Sequence, residues 1–145
     1  MMNIDYKELV DGAIDEIDAA LFSGDTFHDE EAIEDFTKAI EFIGESNNYY
    51  GRGKAQYELG CFEKSFKDFT EAIEISPDDV DYYYMRAKSG YMLGISYYQG
   101  VVKDLVKVIE LDRENAEYYI LTTFLSDYHF SSPKKTNKKT NQSRV

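Results

Sequence analysis

The stretch YYGRGKA at residues 49–55 returns as YYMRAKS at residues 83–89, 34 residues further along the chain. Each copy is followed by the same dipeptide, Leu59-Gly60 after the first and Leu93-Gly94 after the second. A fixed period of about 20–50 residues indicates a solenoid, in which similar structural units stack in a row. Stacked units build an extended concave surface rather than a deep catalytic pocket. The period therefore favours a binding protein over an enzyme.

The charge of the chain is strongly negative and unevenly distributed. The formal net charge is −12, from 28 acidic and 16 basic residues. Residues 131–145 contain five basic residues and no acid, which leaves a charge of −17 on residues 1–130. An acidic body repels phosphate backbones and attracts basic peptides or basic protein surfaces. We therefore expect no nucleic-acid partner and a protein or peptide partner, among which basic ones are favoured.

The sequence also lacks the features of several other classes of protein. Cys61 is the single cysteine, so neither an intramolecular disulfide nor a cysteine metal cluster is possible. His28 and His129 are far apart in sequence, which argues against a metal site. No apolar run approaches the about 20 residues that span a bilayer, and the N-terminus lacks the pattern of a secretory signal. We expect a cytoplasmic protein without a cofactor or a membrane association.

Apolar residues recur three or four positions apart along most of the chain, which is the period of an amphipathic helix. No segment alternates with the period of a strand, so we expect an all-α domain over residues 1–130. Glycines that favour helix ends separate several of the predicted helices, and Ser96 with Gln99 resembles a capping box. Residues 131–145 offer no run of apolar side chains, and we expect this basic tail to be disordered. The predicted helices cover residues 4–23, 29–43, 47–59, 62–75, 80–94, 97–111 and 115–129.

The best-defined unit, residues 46–79, combines small and aromatic residues in a recognisable order and closes on Pro77. Residues 80–115 repeat much of that order, and FTKAIE at 36–41 parallels FTEAIE at 69–74. In these features the chain resembles the tetratricopeptide repeat family over about residues 30–130. The residues that carry the resemblance in the first unit are Tyr49, Gly53, Gly60, Phe62, Ser65, Phe69, Ala72 and Pro77, and those in the second are Tyr83, Ala87, Gly94, Val101, Leu105 and Val106.

The resemblance implies a right-handed superhelical array of antiparallel helix pairs, an α-solenoid of about three repeats with a C-terminal capping helix. Small residues such as Gly53 let helix axes approach, and aromatic residues such as Phe69 fill the remaining space. The unit 80–115 departs from the pattern because it carries two extra residues near Gly94. It also has Val101 and Val106 where small residues are expected.

In the family, the first helix of each pair lines a concave groove, so the resemblance implies a peptide-binding surface on those helices. Tyrosines provide a large contact area with little loss of side-chain entropy, and two lysines one repeat apart could hold a carboxylate or peptide carbonyls. The alternative is that the tyrosines merely cover neighbouring helices while the lysines are solvated. The predicted peptide-binding residues are Tyr50, Lys54, Tyr57, Tyr84, Lys88, Tyr91 and Phe124.

Other candidate residues favour structural roles. Arg52 and Arg86 share a repeat position, and we expect each to pair with acids of adjacent helices rather than to bind an anion. Some family members clamp acidic peptide tails with lysine, asparagine and arginine. Gly51 and Met85 occupy the positions where the asparagines would be sought, and the acidic body opposes such a ligand. Cys61 lies in a turn and has no neighbouring histidine, which argues against a nucleophile.

The sequence therefore predicts a non-catalytic interaction module, a scaffold or adaptor, which binds a peptide segment or protein surface in its groove. Two alternatives remain open. The first is a homo-oligomer that associates through end helices, because the capping helix carries Tyr119, Leu121, Phe124 and Leu125. The second is a regulatory subunit of an enzyme complex.

Overall fold

The computed structural model describes residues 27–125, and the regular secondary structure of this part of the chain is helical, with short turns between the helices. It contains six α-helices and no strand, as the sequence predicts. A 3-10 turn, Ile95–Tyr97, precedes the fifth helix. The predicted helix 4–23 and the basic tail 131–145 lie outside the described residues. The helices are α1 (Phe27–Phe42), α2 (Ser46–Glu58), α3 (Phe62–Ile75), α4 (Val80–Leu93), α5 (Tyr98–Leu111) and α6 (Ala116–Phe124).

Each helix packs on the next one along the chain, so the helices form a row of pairs, α2 with α3 and α4 with α5. Helix α1 takes the place of a second helix from an earlier pair, and α6 takes the place of a first helix. Residues 27–125 thus form an all-α repeat solenoid, and the predicted fold class is confirmed.

Two aromatic rings of the second helices lie directly on glycines of α2, which explains why the paired helices approach so closely. A Cβ atom added to Gly51 would come within 2.2 Å of Phe36, and one added to Gly53 would come within 2.6 Å of Phe69. Both rings are buried. The predicted pairing of a small residue with a large aromatic is therefore confirmed at Gly53 and extends to Gly51.

The pair α4–α5 accommodates its larger residues in a way that the sequence did not suggest. Val101 is buried, and a Cβ atom on Gly90 would lie 2.9 Å from its Cγ2 atom. The absence of a side chain at Gly90 therefore provides the space that Val101 requires. Val106 is about half exposed, so its size places no demand on the packing of the two helices.

The predicted helix ends are correct in part. Gly60 and Gly94 adopt φ angles of 78° and 104°, the left-handed conformation that favours glycine. Gly44 does not adopt this conformation. A side chain stabilises the turn between α1 and α2 instead, since the Asn48 side-chain amide donates a 2.8 Å hydrogen bond to the Ile43 carbonyl oxygen. The predicted capping box at Ser96 is wrong, because residue 96 lies inside the 3-10 turn and α5 begins at Tyr98 without a side-chain cap.

A polar clasp recurs in both repeats and joins three successive helices. The Arg52 guanidinium donates two hydrogen bonds of 2.8 Å to the Asp68 carboxylate, and a longer one to the Thr37 hydroxyl. One repeat later, Arg86 pairs with Asp104 in the same bidentate geometry and reaches Thr70. The predicted structural role of the two arginines is confirmed. Each clasp links α-helices that lie side by side and fixes the stacking of one unit on the next.

Candidate functional site

The first helices of the pairs form the inner layer of the solenoid. Helix α2 packs on α4, and α4 packs on α6, whereas α1, α3 and α5 do not pack on one another within residues 27–125. Helices that approach more closely on one side curve the row toward that side. We call the surface formed by α2, α4 and α6 the inner face. It corresponds to the concave groove expected from the sequence.

Aromatic rings connect the three helices along the inner face. Tyr50 on α2 contacts the Tyr82 ring of α4 at a centroid distance of 4.9 Å. Tyr84 of α4 contacts Tyr119 of α6 at the same distance. Tyr82 is itself buried and supports these rings from below, and the partly exposed rings of Tyr50, Tyr84 and Tyr119 form the aromatic surface of the inner face.

The same surface continues toward the ends of the helices. Tyr91 and Phe124 meet edge to face at 5.3 Å between their ring centroids. The Tyr84 hydroxyl donates a 2.8 Å hydrogen bond to the Thr122 hydroxyl oxygen. This bond fixes the Tyr84 ring and attaches α6 to α4, so the aromatic surface is preformed across both helices.

The two predicted lysines lie on tyrosine rings of this surface. The Lys54 ammonium lies 4.8 Å from the centroid of Tyr50, and the Lys88 ammonium lies 5.0 Å from that of Tyr57 and 5.3 Å from that of Tyr84. Such cation–π contacts stabilise an ammonium group whose hydration is reduced. Neither lysine forms an ion pair within the described part of the chain.

Burial influences the protonation of Lys88. Its pKa is lowered mainly because the partly buried ammonium loses hydration, and the nearby Glu58 carboxylate opposes this effect. A partly dehydrated cation interacts more strongly with an incoming carbonyl or carboxylate oxygen than a fully hydrated one does. The surroundings of Lys88 are therefore suited to hydrogen bonding with a ligand.

Carboxylates gather at the end of the inner face where α4 and α6 begin. Loss of hydration raises the pKa of Asp81, and the charges of Asp79 and Asp112 raise it further, while Lys54 opposes them. The pKa of the Tyr50 hydroxyl is raised as well, first by burial and then by Asp81 and Asp79. We call Asp79, Asp81 and Asp112 the acidic end. Its negative field favours a cationic group above the neighbouring tyrosines.

The structure brings the seven predicted site residues onto the inner-face helices but exposes them unequally. Tyr50, Lys54, Tyr84, Lys88 and Tyr91 are half-buried, and Phe124 is exposed. Tyr57 is only 2% exposed, so its ring supports Lys88 from below and offers little surface to a ligand. Their role in peptide binding remains a prediction.

Sequence reasoning missed two parts of this surface. Tyr119 is predicted from the sequence as an exposed residue of the capping helix and is absent from the predicted site, although its ring lies against Tyr84. The adjacent tyrosines Tyr118 and Tyr119, which resemble the tyrosine pairs of the two repeats, are the sequence feature that could have indicated this contact. Asp112 lies in a loop 31 residues after Asp81, and no sequence pattern indicates that their charges interact.

The prediction that Gly51 and Met85 occupy ligand-facing clamp positions is wrong. Gly51 lies under the Phe36 ring, and Met85 is buried against Phe69 and Tyr57. Neither residue lines the inner face, so their identity does not discriminate between acidic and basic ligands.

The described residues lack the features of two other kinds of site. No group of three or more potential metal-ligating side chains occurs within residues 27–125. In the same range, no helix has the length and apolar character needed to cross a membrane.

The family of the repeat follows from its own sequence. Residues 46–79, which form α2, α3 and the turn that follows, match the family model of the tetratricopeptide repeat. This unit is a tetratricopeptide repeat. The resemblance deduced from Tyr49, Gly53 and Phe69 is thereby confirmed over its best-defined part. The comparison with curated proteins found no significant match.

Solved structures support the same fold for the remaining helices. The TPR domain of Arabidopsis OM64 superposes with a TM-score of 0.66 at 21% identity, covering 81% of this chain and 93% of that one. The second TPR domain of human RPAP3, in complex with the HSP70 peptide SGPTIEEVD, gives 0.66 at 19% identity, over 82% and 98%. The first TPR of Spaghetti (RPAP3), bound to the HSP90 peptide SRMEEVD, gives 0.63 at 18% identity, over 85% and 98%. At these identities the likeness establishes the fold and not the ligand.

Proposed function

We propose that this protein is a non-catalytic interaction module that binds a peptide segment or protein surface along the inner face. The observation that carries the proposal is the aromatic surface formed by rings of α2, α4 and α6, on which Lys54 and Lys88 lie one repeat apart. Aromatic patches that stay partly exposed to solvent often mark contact sites. A protein of this type acts as a scaffold or adaptor, and its single exposed cysteine suits the cytoplasm.

The inner face has two regions that suit different parts of a peptide. Around Lys54 and Lys88, ammonium groups supply hydrogen-bond donors for backbone carbonyls or a carboxylate. At the acidic end, Asp79, Asp81 and Asp112 favour a basic side chain, whose aliphatic part can lie on the Tyr50 ring. A peptide that places basic residues at the acidic end and carbonyl groups over the lysines satisfies both regions.

The structural neighbours support peptide binding as a use of this fold, since two of them contain bound peptides that end in EEVD. Those ligands are acidic, whereas this chain has a net charge of −12. We therefore propose that this inner face prefers a basic peptide to an acidic one, in keeping with the three carboxylates of the acidic end.

Selection from a displayed random-peptide library tests the binding surface with no assumption about the identity of the partner. Peptides enriched on the wild-type chain should lose at least about tenfold in affinity, about 1.4 kcal/mol, against Lys54→Glu/Lys88→Glu. The control variant Lys64→Glu/Lys67→Glu has the same charge change on exposed positions of α3 and should bind normally. Circular dichroism would verify that both variants remain helical. Equal losses in the two variants, or no loss in either, would refute the assignment.

Calorimetry with two synthetic peptides tests the preference for charge. The peptide SRMEEVD represents the acidic ligands, and SRMKKVK is its charge-reversed counterpart. We expect the basic peptide to bind more tightly, with an advantage that shrinks as salt is added. Tighter binding of SRMEEVD would contradict the proposed preference and leave the inner face as a peptide site.

Self-association is a second candidate function, and the exposure of α6 favours it. Leu121 is 55% exposed and Leu125 is 60% exposed, and Tyr118 lies beside them in the open. Static light scattering over a range of concentrations would detect a homo-oligomer, and Leu121→Lys/Leu125→Lys should dissociate it. A monomer throughout the range would rule this candidate out.

A further inference from the structure

A first helix of this solenoid is covered on one side by the second helix of its own pair. In the pair α2–α3, a Cβ atom on Gly53 would lie 2.6 Å from the Phe69 ring of α3. Four residues later on α2, the Tyr57 ring contacts Phe62 of α3 at a centroid distance of 5.2 Å. Gly53 and Tyr57 are both buried. These two positions therefore mark the side of a first helix on which a second helix packs.

The pair α4–α5 uses the corresponding positions in the same way. Ala87 and Tyr91, one repeat after the two residues of α2, pack in one cluster with Val101 and Leu105 of α5. Gly90 also faces α5, since a Cβ atom on it would lie 2.9 Å from Val101. In both pairs, small residues of the first helix thus receive large residues of the second helix.

Helix α6 presents large apolar residues at these positions, and no second helix covers them within residues 27–125. Leu121, Phe124 and Leu125 lie 34 residues after the three residues of α4 that face α5. Their side chains remain exposed, by 55%, 40% and 60% respectively. The side of α6 that a second helix covers in the two earlier pairs is therefore open. We call these three residues the open edge.

The neighbouring part of α5, which packs on α6, is open as well. The clasp residues Asp68 and Asp104 show that equivalent positions of α3 and α5 lie 36 residues apart. By this spacing Val102 corresponds to Phe66, whose ring contacts Tyr97, just before the next second helix, at 5.1 Å. Phe66 is half-buried, whereas Val102 is exposed. The open edge and Val102 therefore border the position that a further second helix would occupy.

The residues on α6 determine which kind of helix fits there. Leu121 and Phe124 replace small residues of α4, so the incoming helix needs small side chains where α3 brings Phe69. Ile120 takes the place of the arginine of each clasp. An acid on the incoming helix at the position of Asp68 would therefore be buried without a counter-charge.

We propose that the open edge binds an amphipathic helix of a partner protein, whose apolar stripe contains small residues and no carboxylate. This contact continues the packing that α3 and α5 make on α2 and α4 in the same chain. It lies on the side of α6 where second helices pack and not on the aromatic surface of the inner face. The inference therefore goes beyond the function proposed above and does not depend on it.

The helices of this chain itself do not have the required chemistry. Both second helices with a covered partner, α3 and α5, carry an acid for the clasp and large apolar residues, which a second copy would bring as well. Residues 126–145 contain Tyr128, Phe130 and Val145 as their only apolar residues, too few for the apolar stripe of a helix. The observations therefore favour a helix from a different protein.

Two synthetic peptides based on α3 test the proposed chemistry. Both contain residues 62–75 with Asp68→Leu, which removes the acid, and the alanine peptide also has Phe69→Ala, whereas the phenylalanine peptide does not. We expect the full-length chain to bind the alanine peptide about tenfold more tightly, because Leu121 leaves no room for the phenyl ring. Amide chemical shifts should change at Val102, Leu121 and Leu125. The proposal fails if neither peptide binds with a Kd below about 1 mM.

A size exchange across the interface provides the decisive control. Leu121→Ala creates the space that Ala87 provides in α4, and it should reverse the preference toward the phenylalanine peptide. Ile75→Ala, at an exposed position of α3, is the matched variant and should keep the preference of the wild type. Because both peptides are compared on each protein, the difference in their own helicity cancels. The same preference in the wild type and in Leu121→Ala would overturn the proposal.

Two other outcomes would also overturn the inference by assigning a different contact. A dimer in light scattering that is lost in Leu121→Lys/Leu125→Lys would give the open edge to a second copy. Shifts confined to Tyr50, Lys54 and Tyr84 would place the peptides on the inner face, in agreement with the function proposed above. Conversely, binding of the alanine peptide at the open edge without any library-selected peptide on the inner face would refute only the proposed function.

Discussion

Arg52 and Arg86 occupy the same repeat position, and each connects three successive helices through hydrogen bonds. Each arginine is held by a buried carboxylate of the following helix and by a threonine of the preceding one. The Asp68 side chain is only 7% exposed, so removal of its partner leaves a charge that water cannot reach. The loss of stability on removing the arginine therefore comes mainly from the buried carboxylate that is left without a counter-charge.

The first prediction concerns this clasp. Arg52→Met should lower the free energy of unfolding by about 3–5 kcal/mol, because Asp68 remains buried and unpaired. Arg52→Met/Asp68→Leu should recover much of that loss, since both charges are then absent. Urea denaturation of the two variants provides the measurement. The idea fails if the double variant is no more stable than the single one.

The second prediction concerns alkaline pH. Burial raises the pKa of the Tyr50 hydroxyl above its ordinary value of 10.0, so the unfolded chain releases this proton before the folded chain does. The contribution of the protonated Tyr50 hydroxyl to the free energy of unfolding is therefore fully present below pH 10.0. It is lost as the pH rises toward and through the pKa of this hydroxyl in the folded chain. Tyr50→Phe should lose less stability than the wild type between about pH 9 and about pH 11 in thermal denaturation. An identical loss in both proteins would contradict the prediction.

At the scale of the helices, glycine residues determine how closely the paired helices approach. A Cβ atom on Gly53 would lie 2.6 Å from the fully buried ring of Phe69, whereas one on Gly100 of α5 would meet nothing within 4 Å. Gly53 and Gly100 are both within helices, but Gly53 faces a packed ring and Gly100 faces open space. They therefore separate the effect of packing from the intrinsic effect of glycine on a helix.

The third prediction uses this pair. Gly53→Ala should destabilise the protein by about 1–3 kcal/mol, because the added methyl group displaces the Phe69 ring. Gly100→Ala should stabilise it by about 0.5–1 kcal/mol, since alanine loses less conformational freedom in a helix. Chemical denaturation of both variants decides the matter. Destabilisation by both substitutions would show that helix packing is not what requires Gly53.

At the scale of the whole molecule, the helical periodicity of the apolar residues predicts the order of the helices, and the family resemblance predicts the face on which α2 and α4 lie. The period predicts burial less well, because Tyr57 belongs to the inner face by register and is yet covered. The repeat period does not predict contacts between residues that are distant in sequence. The fit of Val101 against Gly90 and the mutual influence of Asp81 and Asp112 depend on how the units stack.

The aromatic inner face gives the whole molecule its proposed role as a peptide-binding module. Mapping of amide chemical shifts on titration with a library-selected peptide tests this claim most directly. We expect the shifts to concentrate at Tyr50, Lys54, Tyr84 and Lys88 and to leave the exposed positions of α3 and α5 unchanged. Shifts confined to α3 and α5, with the four inner-face residues unaffected, would contradict the account.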